Sequence, residues 1–520
     1  MTSYGSKGAY GAMGRLKLEL LARWGGLSFL AGVAIETCFA ALVPLSTLRG
    51  PEVADFLAYF VIAGVAYVLA VARLGHDRLS LRAIWAFAIL FRLTLLLTSP
   101  PTLSDDVYRF IWDGRLANAG VSPYAQAVDS PILDALDSPQ RALVNNSQMA
   151  SPYLPATQAL FAAVYWLIPD NPIAFQVVAV FFDLLTGWLV AAILGRLGLP
   201  RERVLIYLWN PLVCVEFAHG AHAVDALMLA LTMATFWLLV AAWPRNRRSE
   251  VLTWGSVLTL AAATLTKGLP ILMLPVVAWR WRWLRSIVYA ALVLAVILPF
   301  ALTAGWGFTG PLDGEGLFGA IRVYATYWNY NGGLYHWLEV WLSGYQTPGA
   351  VSPDVVGWEP IRAAKTMASI LLGVTLLAVG WLSWRYTGGR AAAESPSEIP
   401  PGSSANLAML RLAVIPPAAY LLLTTTVHPW YVTLLVPLLP FLLPKKGEAT
   451  YSGRFLWPWL YFSIAVVFSY STYWDPDNLR EYRLVRQVEY FPLYALLIWA
   501  AWPVVYERAK RKAYSVRHEG

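Results

Sequence analysis

Charge and cysteine are both scarce in this chain. Only 13% of its 520 residues are Lys, Arg, Asp or Glu, whereas a soluble domain is nearer a quarter charged. That shortage excludes an ordinary water-facing surface. The two cysteines, Cys38 and Cys214, lie inside apolar stretches. They exclude a disulfide framework or a Cys-based metal site and say little about redox compartment. No internal repeat is visible. The segment from Met1 to Trp24 lacks the short apolar core and cleavage site of a secretory signal, so no cleaved leader is expected. Gly388 to Ser404, inside the stretch 385–407, is rich in Pro, Ser, Glu and Ala and reads as a flexible linker.

What the chain has is hydrocarbon. Hydrophobic residues make up 58% of it. Apolar runs of roughly 15–22 residues recur from end to end, which is the length that crosses a bilayer as a helix. The expected fold is an all-α polytopic membrane protein, residues 1–520 forming one integral membrane domain. The candidate spans are 27–46, 54–73, 83–98, 173–195, 203–217, 222–243, 251–266, 269–279, 286–303, 363–384, 408–426, 430–443, 455–470 and 489–506. Two of them, 269–279 and 430–443, are short for ~30 Å of hydrocarbon, so the count is about 12–14. The stretch 155–168 is also short and reads as an interfacial or re-entrant helix. Trp and Tyr, at 25 and 27 residues, suit rings gathered at membrane interfaces.

The net charge of +8 reads as loop charge, and no nucleic-acid partner is expected. With the N-terminus in the cytoplasm, the loops on that side collect 27 of the 39 Lys and Arg residues. The positive-inside rule therefore fixes this orientation, with both termini cytoplasmic. A span at 155–168 would invert every later loop. The regions left on the outside are 99–172, 218–222, 304–362, 427–429 and 471–488, and these hold the unusual polar residues.

The first large outer loop, 99–172, opens with Ser104-Asp105-Asp106-Val107-Tyr108-Arg109-Phe110. Asp105 or Ser104 can cap a helix from Asp106 to Ala119. Its apolar positions Val107, Phe110, Ile111 and Leu116 recur at helical spacing, so it would lie along the membrane surface, and Gly120 suits its stop. Asp106 and Arg109 share a face. A carboxylate held there can deprotonate a hydroxyl acceptor as a lipid-linked donor arrives from the bilayer. Two carboxylates at a helix start are equally what the helix dipole favours.

Trp209-Asn210-Pro211 is followed by His219, His222 and Asp225. Their spacing is not that of a zinc motif. Hydrogen bonds to phosphate or sugar fit better, and a plain polar turn would look the same. Lys267 stands between apolar runs, where a lysine is expensive and by default functional. A lipid phosphate is its natural partner, and snorkelling at a span end is the alternative. Arg322 opens an aromatic run in the second outer loop, 304–362, suited to sugar stacking or to an interfacial belt. His428-Pro429-Trp430-Tyr431 marks another outer span end. Tyr473 to Arg483 could offer cations to a phosphate leaving group or form internal ion pairs. Glu36, Arg92 and Asp183 lie within spans, where pairing with one another would be structural.

In this order along the chain, the motifs resemble the GT-C glycosyltransferases, multi-span enzymes that use polyprenyl-phosphate sugars. Asp105-Asp106-Val107-Tyr108-Arg109 matches their acidic motif in the first large outer loop. Gly120-Val121-Ser122-Pro123-Tyr124, Ser151-Pro152-Tyr153-Leu154-Pro155, Asp183-Leu184-Leu185-Thr186, Trp209-Asn210-Pro211 with Asp225, and Lys267 with Pro270 look like the catalytic subunit of GPI mannosyltransferase I. His428-Pro429-Trp430-Tyr431 is similar to bacterial polyprenol-phosphate-mannose transferases. The likeness is clearest over Ser99–Pro275. Two departures favour a bacterial relative: Asp105 and Asp106 are contiguous, and 26 residues separate Tyr124 from Ser151.

The resemblance implies an inverting hexosyltransferase, mannose foremost. Its partners are a polyprenyl-phosphate sugar donor, a glycan or lipid acceptor and membrane lipids, with the site facing out of a bacterial plasma membrane. It implies Asp106 as general base, assisted by Asp105. Arg109, His219, His222, Asp225, Lys267, Arg322 and His428 are the candidates for donor phosphate and sugar. No metal or other cofactor is expected, because the leaving group is a lipid phosphate. The alternatives are a transporter or a lipid-linked glycan flippase or ligase. A transporter would need polar residues at mid-bilayer and repeat symmetry.

Overall fold

A computed structural model describes residues 26–242, 247–309, 314–344, 357–388, 404–445, 451–475 and 479–518. The basic residues Lys7, Arg15, Lys17 and Arg23, and most of the 385–407 linker, lie outside the described residues. Among the described residues the chain is all-α, with no strand and one isolated bridge between Tyr330 and Thr426. The protein is an all-α polytopic membrane protein. Among the described residues, seven helical stretches are long and apolar enough to cross a bilayer: Glu52–Ala72, Pro172–Arg196, Ala223–Ala241, Leu269–Ala304, Trp358–Tyr386, Ala405–Leu423 and Ser452–Trp474.

The helices used below are α1 (Gly26–Leu42), α2 (Glu52–Ala72), α3 (Leu81–Leu96), α4 (Asp106–Asn118), α5 (Pro155–Leu167), α6 (Pro172–Arg196), α7 (Ala223–Ala241) and α8 (Arg247–Lys267). They are followed by α9 (Leu274–Ala304), α10 (Gly319–Tyr327), α11 (Leu334–Ser343), α12 (Trp358–Ser383), α13 (Ser404–Leu412), α14 (Ile415–Leu423), α15 (Leu456–Ala465) and α16 (Arg483–His518).

Several expected spans are broken, and the sequence explains why. The stretch 203–217 is a chain of single turns, Leu205–Leu208, Pro211–Cys214 and a π-turn at Val215–His219. Asn210 starts a new turn by accepting from the Leu212 and Val213 amides at 3.0 and 3.4 Å, with Pro211 next in line. Half of the stretch 430–443 is a 3-10 segment, Val436–Leu442, in which Pro437 and Pro440 remove the donors an α-helix needs. The stretch 269–279 begins as a 3-10 segment, Leu269–Met273, and α9 is interrupted at Arg282, with φ 62 and ψ 169.

α5 has 13 residues, about 20 Å at 1.5 Å per residue, too short for ~30 Å of hydrocarbon. It packs closely on α4. A Cβ on Gly114 would lie 2.6 Å from the Phe161 carbonyl oxygen, so glycine is what permits the approach. Phe110 stacks on Phe161 at 4.7 Å between centroids.

Inside the bundle, the Arg92 Nε donates to Asp183 at 2.6 Å, and Arg92 Nη1 donates to the Ala88 and Leu208 carbonyls. Glu36 is not part of that pair. It accepts from the Thr94 hydroxyl at 2.5 Å.

The end of α3, the start of α4, the start of α7 and the end of α8 meet at one end of the bundle. His219 reaches Thr98 and Thr102 there, and Lys267 reaches Asp225. Two of the segments expected on the outside, 99–172 and 218–222, thus meet at this end of the fold.

Candidate active site

α4 begins at Asp106, as its sequence implies, and ends at Asn118. The Ser104 hydroxyl accepts from the Asp106 amide at 3.3 Å, while Asp105 makes no side-chain cap. The Asp105 carboxylate turns instead to Arg49, with Nη2 3.0 Å from Oδ1. The same guanidinium lies 4.6 Å from the centre of the Tyr473 ring. Asp106 is partly exposed. Its Oδ1 accepts one hydrogen bond, from Asn145 Nδ2 at 3.1 Å. The Tyr153 ring packs edge-on against Phe110, one turn further along α4, at 5.3 Å between centroids.

The helix does not lie open along a surface. Val107, Phe110 and Ile111 join the main core, and Trp112 and Leu116 anchor a smaller core with Val128, Leu133 and Val144. The second core is the underside of the 121–144 loop, so both faces of α4 are covered.

Arg109 differs from its expected role. Its guanidinium donates to the carbonyls of Asn145, Asn146 and Met149 at 2.9–3.1 Å. It is 4% exposed, so these carbonyls occupy it and it fixes the segment that carries Asn145. One turn further along is Asp113, which the sequence reading passed over. It is buried, receives hydrogen bonds from the Ser151 hydroxyl and from Gln158 Nε2 (2.9 Å), and burial pushes its pKa up.

His219 is likewise engaged. Its Nε2 accepts from the Thr102 amide at 3.2 Å, and its Nδ1 lies 2.7 Å from Thr98 Oγ1. The Thr98 hydroxyl donates to the Leu95 carbonyl, so Nδ1 carries the proton to Thr98. This ring pins the turn before α4 and has no nitrogen left for a phosphate. Gly220 follows it, where a Cβ would sit 2.7 Å from the Glu216 carbonyl.

His222 stacks on Trp430 at 4.2 Å and 22°. Trp430 stacks on His428 at 4.4 Å and 1°, and His428 on Tyr330 at 5.0 Å and 26°. Four rings from three distant segments thus form one wall. Behind it, Glu216 accepts from the Tyr470 hydroxyl at 2.9 Å and lies 3.3 Å from His222 Nε2. Burial keeps His428 neutral, its pKa pushed down to about 3.

Lys267 ends α8. Its ammonium donates to Asp225 Oδ1 at 2.6 Å and lies 4.6 Å from the centre of the Tyr431 ring. The partner it has is a carboxylate. Tyr431 and Tyr324 share a hydroxyl contact at 2.9 Å. Arg322 stands on α10, the helix that carries Tyr324 to the wall. The late loop contributes an internal ion pair, Glu481 with Arg486, and Glu481 also accepts from the Asn331 amide at 2.8 Å. Among the described residues no three His, Cys, Asp or Glu side chains are gathered as a metal ion would need.

The structure brings Asp105, Asp106, Lys267, Asp225, His222 and His428 to one end of the fold. Arg49, Glu216 and Tyr470 were not foreseen as parts of it, and Tyr153 and Tyr473 were named only within longer motifs. Only the position of Arg49, between two spans and on the side of the acidic motif, could have suggested it. A family model described as "Alpha-(1->6)-mannopyranosyltransferase, N-terminal domain" matches residues 10–283. The match includes α4, the π-turn, His222 and Lys267 and stops short of the other three rings of the wall, Tyr330, His428 and Trp430. No curated protein and no solved structure matches.

Proposed function

Because the chain belongs to the MptA_B family of alpha-(1->6)-mannopyranosyltransferases, and is therefore a glycosyltransferase of mannosyl type, we propose a reaction in which mannose leaves a polyprenyl-phosphate donor. It is received by a hydroxyl of a glycan or lipid acceptor on the outer face of a bacterial plasma membrane. Both termini are cytoplasmic in this reading, which rests on the distribution of Lys and Arg.

Asp106 is the general base. One observation carries this assignment: Asp105, Asp113, Glu216 and Asp225, the other carboxylates described at the site, are engaged. Asp105 pairs with Arg49, Asp225 with Lys267, Glu216 with Tyr470, and Asp113 is buried under Ser151 and Gln158. Asp106 is partly exposed and uses one of its roughly four acceptor sites on Asn145. It takes the proton of the acceptor hydroxyl as that oxygen bonds to the anomeric carbon. The bond from that carbon to the phosphate oxygen breaks, and its electron pair leaves with the phosphate. Displacement inverts the centre, so an α product requires a β-linked donor. A positioned base contributes ~10²–10⁴-fold, and fixed cations near the departing phosphate contribute further.

Incubating membranes with labelled polyprenyl-phosphate mannose and identifying the product tests this reading. Asp106→Asn should abolish most transfer while the protein remains folded. Transfer at the normal rate by that variant overturns the base assignment. Movement of labelled lipid between leaflets without transfer overturns the reaction.

A further inference from the structure

An apolar groove of about 710 Å³ runs between α2, α15 and α16. Val65 and Leu69 form one side, Tyr461 and Phe468 the second, and Trp499 the third. Gly64 brings the first two walls together, since a Cβ there would lie 2.8 Å from the Ile464 side chain. The groove follows the long axis of the bundle. At 1.5 Å per residue, Val61 lies about 14 Å and Leu69 about 26 Å from the first residue of α2. Ala54, Ala58, Val61, Val65 and Leu69 succeed one another three or four residues apart, and all are exposed or partly so. One apolar stripe therefore connects the groove to the polar end of the fold.

At the head of that stripe stands Arg49, three residues before α2. The Gly50 amide donates to the Tyr473 carbonyl at 2.9 Å, tying this corner to the helical segment that carries Phe468. Arg49 Nη2 pairs with Asp105, and its Nε is buried with no hydrogen-bond partner among the described residues. A guanidinium has five N–H donors, so this one keeps capacity for an anion beside the carboxylate that aims it.

We infer that Arg49 binds the phosphate of the lipid-linked donor and that the α2–α15–α16 groove takes its isoprenoid chain. The inference rests on the donor being a polyprenyl phosphate. An anion with a long apolar tail is the ligand that fits a cation at the head of a hydrocarbon-lined channel. In a membrane, lipid tails compete for such a groove, so it contributes packing and direction more than bulk hydrophobic affinity. Arg49 also gives the two aspartates different tasks, since Asp105 aims the cation and Asp106 remains open.

The full chain in nanodiscs, with a polyprenyl phosphate carrying a photoreactive group in its chain, tests this. Crosslinks should map to α2 and α15. Val65→Trp, at an exposed position, should reduce labelling and raise the KM of a long-chain donor relative to a two-isoprene donor. Arg49→Gln should raise the KM of both donors at least about tenfold, as loss of a charge-assisted contact implies, with partial rescue by Arg49→Lys. Crosslinks confined to other helices overturn the site. So does complete competition by an equal amount of phosphatidylglycerol, which would make the groove a bulk-lipid surface. If labelling behaves as expected but wild type transfers mannose from no polyprenyl phosphate, the site stands and the proposed reaction falls.

Discussion

Lys267 and Asp225 form an ion pair at 2.6 Å, with the ammonium also above the Tyr431 ring. The end of α8 is thereby tied to the start of α7 and to the segment after His428. The side chains are 18% and 4% exposed. Breaking a buried pair from one side costs about 3 kcal/mol or more, and somewhat less here because Lys267 keeps some water. Asp225→Ala and Lys267→Met should each lower the unfolding temperature in detergent. The double variant should recover part of the loss, and fully additive losses would show that the pair is not coupled.

The two adjacent aspartates should separate kinetically. Asp106→Asn keeps the shape and removes the proposed base, so kcat should fall ~10²–10⁴-fold with donor KM little changed. Asp105→Asn releases Arg49, so its main effect should be on donor KM. Initial rates over a donor series measure both. A larger kcat loss for Asp105→Asn would exchange the roles.

Burial raises the pKa of Asp113. Between the ordinary carboxylate value and that raised value, the folded state binds more proton than the unfolded one. Stability contributed by this site is therefore present at low pH and lost as pH rises through the window. Asp113→Asn should flatten that dependence in melting curves taken across the acid-to-neutral range. An unchanged slope would mean that the carboxyl ionises freely in the fold.

His428 works in the opposite direction. Its pKa is pushed down to about 3 from the ordinary 6.5 by burial. The unfolded state binds the extra proton between these values, so stability should fall as pH drops below 6.5. His428→Phe keeps a flat ring against Trp430 and Tyr330 and should lose this acid sensitivity. A variant that melts with the wild-type pH profile would remove His428 as its source.

Gly114 sets how closely α4 and α5 approach. Gly114→Ala places a methyl 2.6 Å from a backbone oxygen and 2.8 Å from the Tyr165 Cβ, neither of which can swing aside. The helices must separate, shifting Asp106 and Asp113 together. Transfer should drop even where the variant can be purified folded, and unchanged rates would show slack between the two helices.

Much of this arrangement is legible in local pattern. The first turn of α4, its stop before Gly120, the shortness of 155–168 and the irregularity of 269–279 and 430–443 all follow from capping, glycine, length and proline. The Arg92–Asp183 pair follows from the cost of lone charge among apolar helices. What local pattern does not carry is the identity of distant partners. Glu216 sits inside an apparent span, and only the fold shows Tyr470 beside it. Arg109 was a candidate for donor phosphate or sugar because it stands in the acidic motif that carries the family resemblance. The carbonyls that occupy it belong to a loop about 40 residues away and have no signature of their own. Asp113 was passed over for the same reason, since its neighbours Ser151 and Gln158 come from beyond that loop.

The grip of Arg109 on Asn145, Asn146 and Met149 has a consequence for how this protein can diverge. The amide that touches Asp106 is held from the same helix that carries Asp106, one turn away. Residues 125–144 join the two sides of that clasp and pack on α4 through Val128, Leu133 and Val144. Changes at the exposed positions of that loop leave the carboxylate and its companion amide in register, whereas changes at those three side chains act on α4 directly.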